Sequence, residues 1–367
     1  MKRDRLVDVV AGALCVFCLL TLCCCATSEQ ATHEKGAVSM WTNHDGLSYR
    51  IPGIIRTDDG ALIAYCEERR GTGDWSDINI VERISRDAGV SWTDSRVIVN
   101  GIDDGLTVNN PVMIPDGSRI HLLYEIEYGL PSKGGGVYHC YSDDCGESWS
   151  TPKQILQDAD FCNVIATGPG HGIKSSKGDL LVPVWFVLKS SGSKEASHHP
   201  GSVATLYSED QGASWHIGEI IPAGDVVDPN ESAMVELSDG SFLLNARNGS
   251  DQKLRAVSRS KNGKDGWSSM KFDPALADPT CFGSLCRCED GTILFVNCDS
   301  TDTRTALTVR SSGDDCASWS GKALACEDGG YADVVAIGEE VLVLAEHKGE
   351  DGFFISLERL SRAQLKR

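Results

Sequence analysis

Positive charge is scarce in this sequence. Lysine and arginine together number 34, against 53 aspartates and glutamates, and the formal net charge is −19 over 367 residues. A chain with this excess of acid is repelled by a phosphate backbone, so we expect no nucleic-acid partner. A small cationic pocket in such a chain can still hold an anion, because binding depends on the local field rather than on the mean charge.

Several patterns that mark other functions are also missing. No glycine-rich nucleotide motif is present, and Cys286-Arg-Cys288 has neither the spacing nor the histidines of a zinc site. We therefore expect no cofactor and no metal. No amphipathic helical pattern occurs before the C-terminus, where the leucines of residues 356–367 predict one helix. The rest of the chain has an all-β pattern.

Apolar runs of membrane-spanning length are absent after the N-terminus. There, Lys2, Arg3 and Arg5 precede an apolar run from Val9 to Ala26, which is typical of a signal peptide or of a membrane or lipid anchor. We expect residues 1–26 to be this segment, residues 27–37 a linker, and residues 38–367 a single domain. The protein is then exported: secreted, periplasmic or anchored at the cell surface. Any contact with a membrane is expected only through this N-terminal segment, and its cleavage, lipidation or retention stays open.

The cysteines divide into two groups. Five of the fifteen lie in the apolar N-terminal segment (Cys15, Cys18, Cys23, Cys24 and Cys25). The other ten can form disulfides if the domain is exported. Buried free thiols in strands are the alternative, and the sequence leaves both open.

An eight-residue motif, Ser-x-Asp-x-Gly-x-x-Trp, recurs along the chain. It occurs at residues 85–92, 142–149 and 208–215; a copy at 312–319 has Cys316 in place of the glycine, and a degenerate fifth copy spans 258–267. The aspartate can accept bonds from the N–H groups of its own turn, the glycine supplies a positive φ, and the tryptophan covers the loop. Such hairpins at intervals of roughly 50–65 residues predict small sheets arranged radially as a β-propeller. The substitution by Cys316 puts the geometry of that turn in question.

Six short β-rich runs indicate the number of sheets. Most of them follow a turn such as Asp59-Gly60, and they lie at 61–66, 119–124, 180–187, 241–245, 292–297 and 341–345. The sequence therefore predicts a six-bladed propeller.

Three arginines stand in apolar or small surroundings next to predicted inner strands. They are Arg50 in Tyr49-Arg-Ile-Pro52, Arg247 at the end of Leu243-Leu-Asn-Ala-Arg247, and Arg304. Arginines from different blades that meet at the axis repel one another unless they share an anion. A carboxylate fits, because a guanidinium binds it through two hydrogen bonds.

Taken together, these features resemble the exo-α-sialidase (neuraminidase) family of bacterial and protozoan type. The likeness covers about Val38 to Leu360 and is carried by the Arg-Ile-Pro motif, the repeated Asp box and the later arginines. It implies a six-bladed β-propeller and makes residues 38–367 a sialidase catalytic domain. It also implies that Arg50, Arg247 and Arg304 bind the carboxylate of sialic acid.

The resemblance assigns the chemistry to three further residues. Tyr331, in Tyr-Ala-Asp, would be the nucleophile and Glu231 its base, with Glu236 as a competitor that we expect on the solvent side. Asp74 would be the acid/base residue, with Asp77 as the alternative.

Two more residues are implied as substrate contacts, Arg69 near the Asp74 loop and Asn110 near the N-acyl group. No role is assigned to His171, and His198-His199 lies in a polar stretch that we expect to be solvated.

The function that the resemblance implies is retaining hydrolysis of terminal sialic acids through a covalent sialyl-tyrosine. The expected substrates are sialylated glycoproteins, glycolipids such as gangliosides, and oligosaccharides, and the protein is expected to be a monomer. A trans-sialidase or intramolecular trans-sialidase is the first alternative. A non-catalytic propeller that binds sialoglycans is the second, although a lectin would need the arginines and not Tyr331.

Overall fold

The structure is a computed structural model that describes residues 37–127, 135–157, 162–189 and 198–365. Residues 1–36, which contain the predicted signal or anchor segment and most of the linker, lie outside these ranges, so that assignment stays a prediction. No helix in the described ranges is long and apolar enough to cross a membrane.

The described chain forms six antiparallel sheets that are the blades of a β-propeller, as the sequence predicts. Blade one contains β2 (Leu47–Arg56), β3 (Leu62–Arg70), β4 (Ile78–Ser85) and β5 (Arg96–Val99). Blade two contains β6 (Thr107–Asp116), β7 (Arg119–Glu127), β8 (Gly135–Ser142) and β9 (Lys153–Gln157). Blade three contains β10 (Cys162–Thr167), β11 (Ile173–Lys174), β12 (Leu180–Leu188), β13 (Ser202–Ser208) and β14 (His216–Ile217).

Blade four contains β15 (Ser232–Glu236), β16 (Phe242–Ala246), β17 (Leu254–Ser260) and β18 (Lys271–Ala277). Blade five contains β19 (Ser284–Arg287), β20 (Ile293–Cys298), β21 (Thr305–Ser312) and β22 (Gly321–Asp328). Blade six contains β23 (Ala332–Ile337), β24 (Glu340–Lys348), β25 (Phe353–Ser361) and β1 (Val38–Trp41). Each predicted β-rich run lies in the second long strand of a blade. The turn before it needs a positive φ, as at Gly60 (φ 88°), which glycine adopts at little cost.

The sixth blade combines the two ends of the described chain. Its outer strand is β1, which pairs with β25 in a register that places Val38 opposite Leu357. The helix predicted over 356–367 is therefore wrong: Phe353–Ser361 is a strand, and only Arg362–Leu365 forms a short 3₁₀ turn. The leucines were misleading because a strand buried on both faces carries apolar residues without a clear period of two.

The Asp boxes connect the outer strands of the blades. In the first, Asp87 Oδ1 accepts bonds from Ser85 Oγ (2.8 Å) and Ser91 N (2.9 Å), while Gly89 N donates to Ser85 Oγ (2.8 Å). The largest effect on the carboxylate comes from Ser91 Oγ, which donates to Asp87 Oδ2 (2.6 Å). Together these hydrogen bonds lower the pKa of Asp87 to about 2.

The copy at 312–319 keeps this geometry, and the degenerate copy forms a turn one residue shorter, in which Gly263 N donates to Ser260 Oγ (3.0 Å). Cys316 adopts φ 61° and its N–H still donates to Ser312 Oγ (2.9 Å), so the turn that the substitution put in question is intact. The degenerate copy begins at Ser260 and not at Ser258. There Asn262 takes the place of the aspartate, and Ser260 Oγ accepts from Asn262 N (3.2 Å).

The ten cysteines of residues 37–365 are free thiols, and most of them are buried. Many belong to the apolar clusters between and within blades; Cys281, Cys288 and Cys298, for example, pack in the cluster that joins blades four to six. Of the two alternatives left open by the sequence, the structure has buried thiols in the described residues.

Close contact near the axis makes Gly53 a sensitive position. A Cβ atom there would lie 2.2 Å from Cζ of Tyr65, whose hydroxyl donates to Gly170 O (2.7 Å) and accepts from Met113 N (2.9 Å). We expect Gly53→Ala to lower the free energy of unfolding by roughly 1–3 kcal/mol through overpacking. Urea unfolding measures this, with Gly313→Ala, where a Cβ atom meets nothing within 4 Å, as the matched control. Equal stability of the two variants would contradict the packing described here.

Candidate active site

Tyr331 and Glu231 meet at the base of a cavity of about 210 Å³. Each residue directly precedes the first strand of its blade, β23 and β15. Tyr331 Oη donates to Glu231 Oε1 (2.5 Å), and Arg247 Nη1 donates to both Glu231 Oε2 (2.5 Å) and Tyr331 Oη (2.7 Å). In the sequence Arg247 lies 16 positions after Glu231 and 84 positions before Tyr331. The fold brings the three residues into one hydrogen-bonded group.

The environment of Tyr331 keeps its hydroxyl protonated. Burial raises the pKa of the phenol, and although Arg247 opposes this, Glu231 adds to it, so the pKa is well above its ordinary value. The ring packs edge-on against Phe282 at a centroid distance of 6.0 Å. A neutral hydroxyl that donates to a carboxylate is a nucleophile with its base already in contact.

Arg50 is held by a carboxylate that the sequence analysis missed. Glu346 on β24 accepts from Arg50 Nε and Nη2 at 3.1 Å each, and also from Ile51 N at 3.2 Å. Both side chains are buried. The only sign of Glu346 in the sequence is a charged residue directly after the apolar run 341–345. This position does not reveal that its partner is Arg50, 296 positions away.

Three guanidinium groups surround the ring of Tyr331. Arg50 and Arg304 lie 5.7 and 5.1 Å from its centroid, and Arg247 bonds its hydroxyl. Arg304 is exposed at the mouth of the cavity and donates to Thr280 O (3.4 Å). The convergence predicted from the sequence is thus present, in a cavity lined by four arginines and by the carboxylates of Asp74, Glu125 and Glu231.

Asp74 lies at the lip of the cavity in the loop after β3. Its Oδ1 accepts from Arg69 Nη1 (2.7 Å) and Arg50 Nη1 (3.2 Å), and its side chain is 56% exposed. Burial by itself would raise the pKa of Asp74, but the charges of Arg69 and then Arg50 outweigh it and hold the pKa below its ordinary value. Asp77, the alternative acid, does not line the cavity.

The position of Arg69 is fixed by a second missed carboxylate, Glu67. Glu67 Oε2 accepts from Arg69 Nε (2.6 Å), and its Oε1 accepts from the backbone N–H of Asn110 (2.7 Å). Asn110 adopts φ 48° at a bulge of β6 and lines the cavity. Glu67 therefore orients two of the predicted substrate contacts. The other carboxylate considered, Glu236, lies at the surface and accepts from Ser176 N (2.7 Å).

One wall of the cavity is aromatic. The ring of His198 lies 5.6 Å from both Trp75 and Trp185, and all three line the cavity. The prediction of a fully solvated His198 does not hold, because this side chain is half-buried and lines the cavity. His199 is the exposed member of the pair and bonds Asp228.

Asp333 connects the chain segment that carries Arg50 with the segment that carries Tyr331. Its Oδ2 accepts from Ile54 N (2.8 Å), in the segment that carries Arg50, and its Oδ1 accepts from Ser284 Oγ (2.5 Å). His171, to which the sequence assigned no role, lies with Nδ1 2.8 Å from the same carboxylate. These bonds fix Tyr331, two residues before Asp333, relative to Arg50.

Comparison with known proteins identifies the family of this chain and its relatives. Residues 60–339 match the family described as BNR repeat-like domain. An exo-alpha-sialidase of Arthroderma benhamiae is 29% identical over 73% of this chain and 67% of its own length, and a sialidase of Micromonospora viridifaciens is 28% identical over 74% of this chain and 45% of its own. The chain thus spans from under half to about two thirds of these relatives.

Solved structures show the same fold. The Hadza microbial sialidase Hz136 superposes with a TM-score of 0.76 at 23% identity, covering 87% of this chain and 66% of that one. Trypanosoma rangeli sialidase superposes with a TM-score of 0.70 at 18% identity, covering 90% and 60%. The resemblance to sialidases inferred from the motifs is confirmed, and the chain belongs to the BNR repeat-like domain family.

Proposed function

We propose that this protein is a retaining exo-α-sialidase that removes terminal sialic acids from glycoproteins, glycolipids and oligosaccharides. The observation that carries the proposal is the hydrogen bond from Tyr331 to Glu231, with the guanidiniums of Arg50, Arg247 and Arg304 grouped around the same tyrosine. Sialidase relatives at 28–29% identity support the same activity.

The choice of a tyrosine as nucleophile follows from the substrate. Sialic acid carries a carboxylate on the anomeric carbon, and a carboxylate nucleophile about 4 Å away would meet repulsion of about 4 kcal/mol at an effective dielectric near 20. The neutral hydroxyl of Tyr331 avoids this repulsion. Sialidases with a tyrosine nucleophile are an established exception to the use of two carboxylates in glycoside hydrolysis.

The first step forms the bond between Tyr331 Oη and the anomeric carbon. The phenolic proton moves to Glu231 Oε1, which already accepts it in a hydrogen bond. The glycosidic bond breaks, and Asp74 donates a proton to the leaving oxygen. Arg50, Arg247 and Arg304 hold the substrate carboxylate throughout, which fixes the anomeric carbon over the tyrosine.

The second step reverses these roles. Asp74, now a carboxylate, takes a proton from a water that attacks the anomeric carbon from the side vacated by the leaving group. The bond to Tyr331 breaks, and Glu231 returns its proton to the phenolate oxygen. Two displacements at one carbon give retention of configuration.

The pH dependence should report the contacts of Asp74. Arg69 and Arg50 hold its pKa low in the free enzyme, so the protonated acid, and with it kcat/KM, is lost as pH rises through this low pKa. A bound sialic acid carboxylate shares Arg50 and weakens its effect, which raises the pKa of Asp74 in the complex. We expect the basic limb of kcat at higher pH than that of kcat/KM. Coincident limbs in steady-state profiles would contradict this coupling.

Product analysis by NMR tests the proposed reaction. With sialyllactose, free sialic acid should appear first as the α-anomer and then mutarotate. Sialyl transfer to added lactose would identify a trans-sialidase, and a 2,7-anhydro product would identify an intramolecular trans-sialidase. Binding of the trisaccharide without cleavage would show a sialoglycan-binding propeller and overturn the proposal.

A further inference from the structure

A second group of chemically reactive side chains lies between the fifth and sixth blades. Cys326 on β22, His347 on β24 and Glu358 on β25 each offer a ligand atom, and these atoms lie within 4.8 Å of one another. Cys326 and Glu358 are half-buried and His347 is 6% exposed. Because the three residues belong to different strands, their spacing in the sequence does not match a metal-binding motif.

Hydrogen bonds fix the tautomer of His347. Ser356 Oγ donates to Glu358 Oε1 (2.7 Å), because an ionised carboxylate only accepts. The same hydroxyl lies 2.7 Å from His347 Nε2 and must therefore accept from the Nε2–H group. In the neutral imidazole, this bond leaves the lone pair on Nδ1, which is the form in which a histidine binds metal. The ring is also held by stacking on Phe354, at 4.9 Å between centroids and 12° between planes.

A fourth donor stands on the free side of the imidazole. Asp328 Oδ1 lies 4.0 Å from His347 Nδ1, and its side chain is 81% exposed. Burial first, and then the charges of the Glu358, Asp328 and Glu327 carboxylates, raise the pKa of the Cys326 thiol, whose Sγ donates to Asp328 O (3.3 Å). A bound metal ion would displace this thiol proton, as metal ions do at cysteine ligands. Several anions around one sulfur and one imidazole lone pair form a local negative potential that favours a cation.

The chemistry of the donors selects the ion. A thiolate, an imidazole nitrogen and one or two carboxylate oxygens match the ligands of tetrahedral Zn²⁺. Mg²⁺ and Ca²⁺ prefer oxygen donors alone, and a thiolate disfavours them. The hydrogen bond from Ser356 to Glu358 would orient the Glu358 carboxylate toward the ion. Such bonds to ligands from residues that do not touch the metal are usual in zinc sites.

We propose that Cys326, His347 and Glu358 bind one zinc ion, with Asp328 or water as the fourth ligand. The ion would join the outer strand of blade five to blade six. Asp328 lies three residues before Tyr331, and His347 follows Glu346, the partner of Arg50. A bound ion would therefore brace both chain segments that carry the site, as a structural metal.

Metal content and spectroscopy test this site directly. The full chain, purified and stripped with a chelator, is loaded with zinc or cobalt salts alone and then desalted. We expect one equivalent of zinc by elemental analysis and a rise of a few degrees in melting temperature. Cobalt should give a thiolate charge-transfer band and tetrahedral visible bands, which report sulfur ligation without any variant.

Matched thiol variants make the assignment specific. Cys326→Ser should lose the bound equivalent, the thermal shift and the charge-transfer band, whereas Cys145→Ser, which removes a half-exposed thiol on an Asp-box turn, should keep all three. His347→Gln should behave as Cys326→Ser does. Absence of the cobalt–thiolate band in the unmodified chain, or zinc retained by Cys326→Ser, overturns the proposal. Neither readout depends on glycosidase activity, so failure here leaves the proposed function untouched.

Discussion

Tyr331→Phe is expected to lower kcat/KM for any sialoside by at least about 10³-fold, because it removes the attacking oxygen and leaves the rest of the site in place. The ring of Phe would keep the packing against Phe282 and the contact with Arg304. Glu231 would keep its bond to Arg247. Binding of free sialic acid should therefore change little while turnover is lost.

Hydrolysis of a fluorogenic sialoside measures the loss, and calorimetric titration with sialic acid measures binding. Tyr207→Phe serves as the control, since Tyr207 lies on β13 near His216, at 5.7 Å between rings, and does not line the cavity. A Tyr331→Phe variant with more than about a tenth of the normal rate would show that this hydroxyl is not the nucleophile.

Asp74→Asn is expected to slow hydrolysis in proportion to how much the leaving group needs a proton. Sialyllactose leaves as an alcohol, so its cleavage should fall by about 10²–10⁴-fold. A 4-methylumbelliferyl sialoside leaves as a stabilised phenolate and needs little help, so the bond-breaking step should fall by less than about 10-fold. The contrast between the two substrates, measured by single-turnover kinetics, identifies the acid.

Asp77→Asn is the matched control for this effect. It changes the other carboxylate of the same loop, three residues away and outside the cavity lining, and should leave both substrates unaffected. An equal loss on both substrates in Asp74→Asn would instead assign Asp74 to holding Arg69 and Arg50. A selective loss in Asp77→Asn would move the acid role to that residue.

The blades could be predicted from the sequence because most of them repeat the same short-range turn motifs. The Asp box and the Gly turn are short-range motifs whose hydrogen bonds close within a few residues, as between Ser85 and Gly89. The six β-rich runs that alternate with these motifs give the number of blades. The C-terminal strand Phe353–Ser361 was missed because its neighbours are β24 and β1. The pairing with Val38, more than 300 positions away, leaves no trace in the local pattern.

The site was predicted in part for a similar reason. Residues within recognisable motifs, such as Arg50 and Tyr331, could be assigned from the resemblance. Their partners could not, because Glu346 and Glu67 satisfy buried arginines through the fold rather than through spacing. His198 was also misplaced, since only the packing of its ring between two tryptophans reveals that it lines the cavity.

The proposed covalent bond between Tyr331 and the sugar can be trapped and located on the protein. The protein is incubated with 2,3-difluorosialic acid, whose fluorine beside the anomeric carbon slows breakdown of the intermediate, and is then digested and sequenced by mass spectrometry. We expect one added fluorosialyl group, on the peptide that contains Tyr331 and on that side chain. Label on Glu231 or on another residue, or complete inactivation without any label, would contradict this expectation.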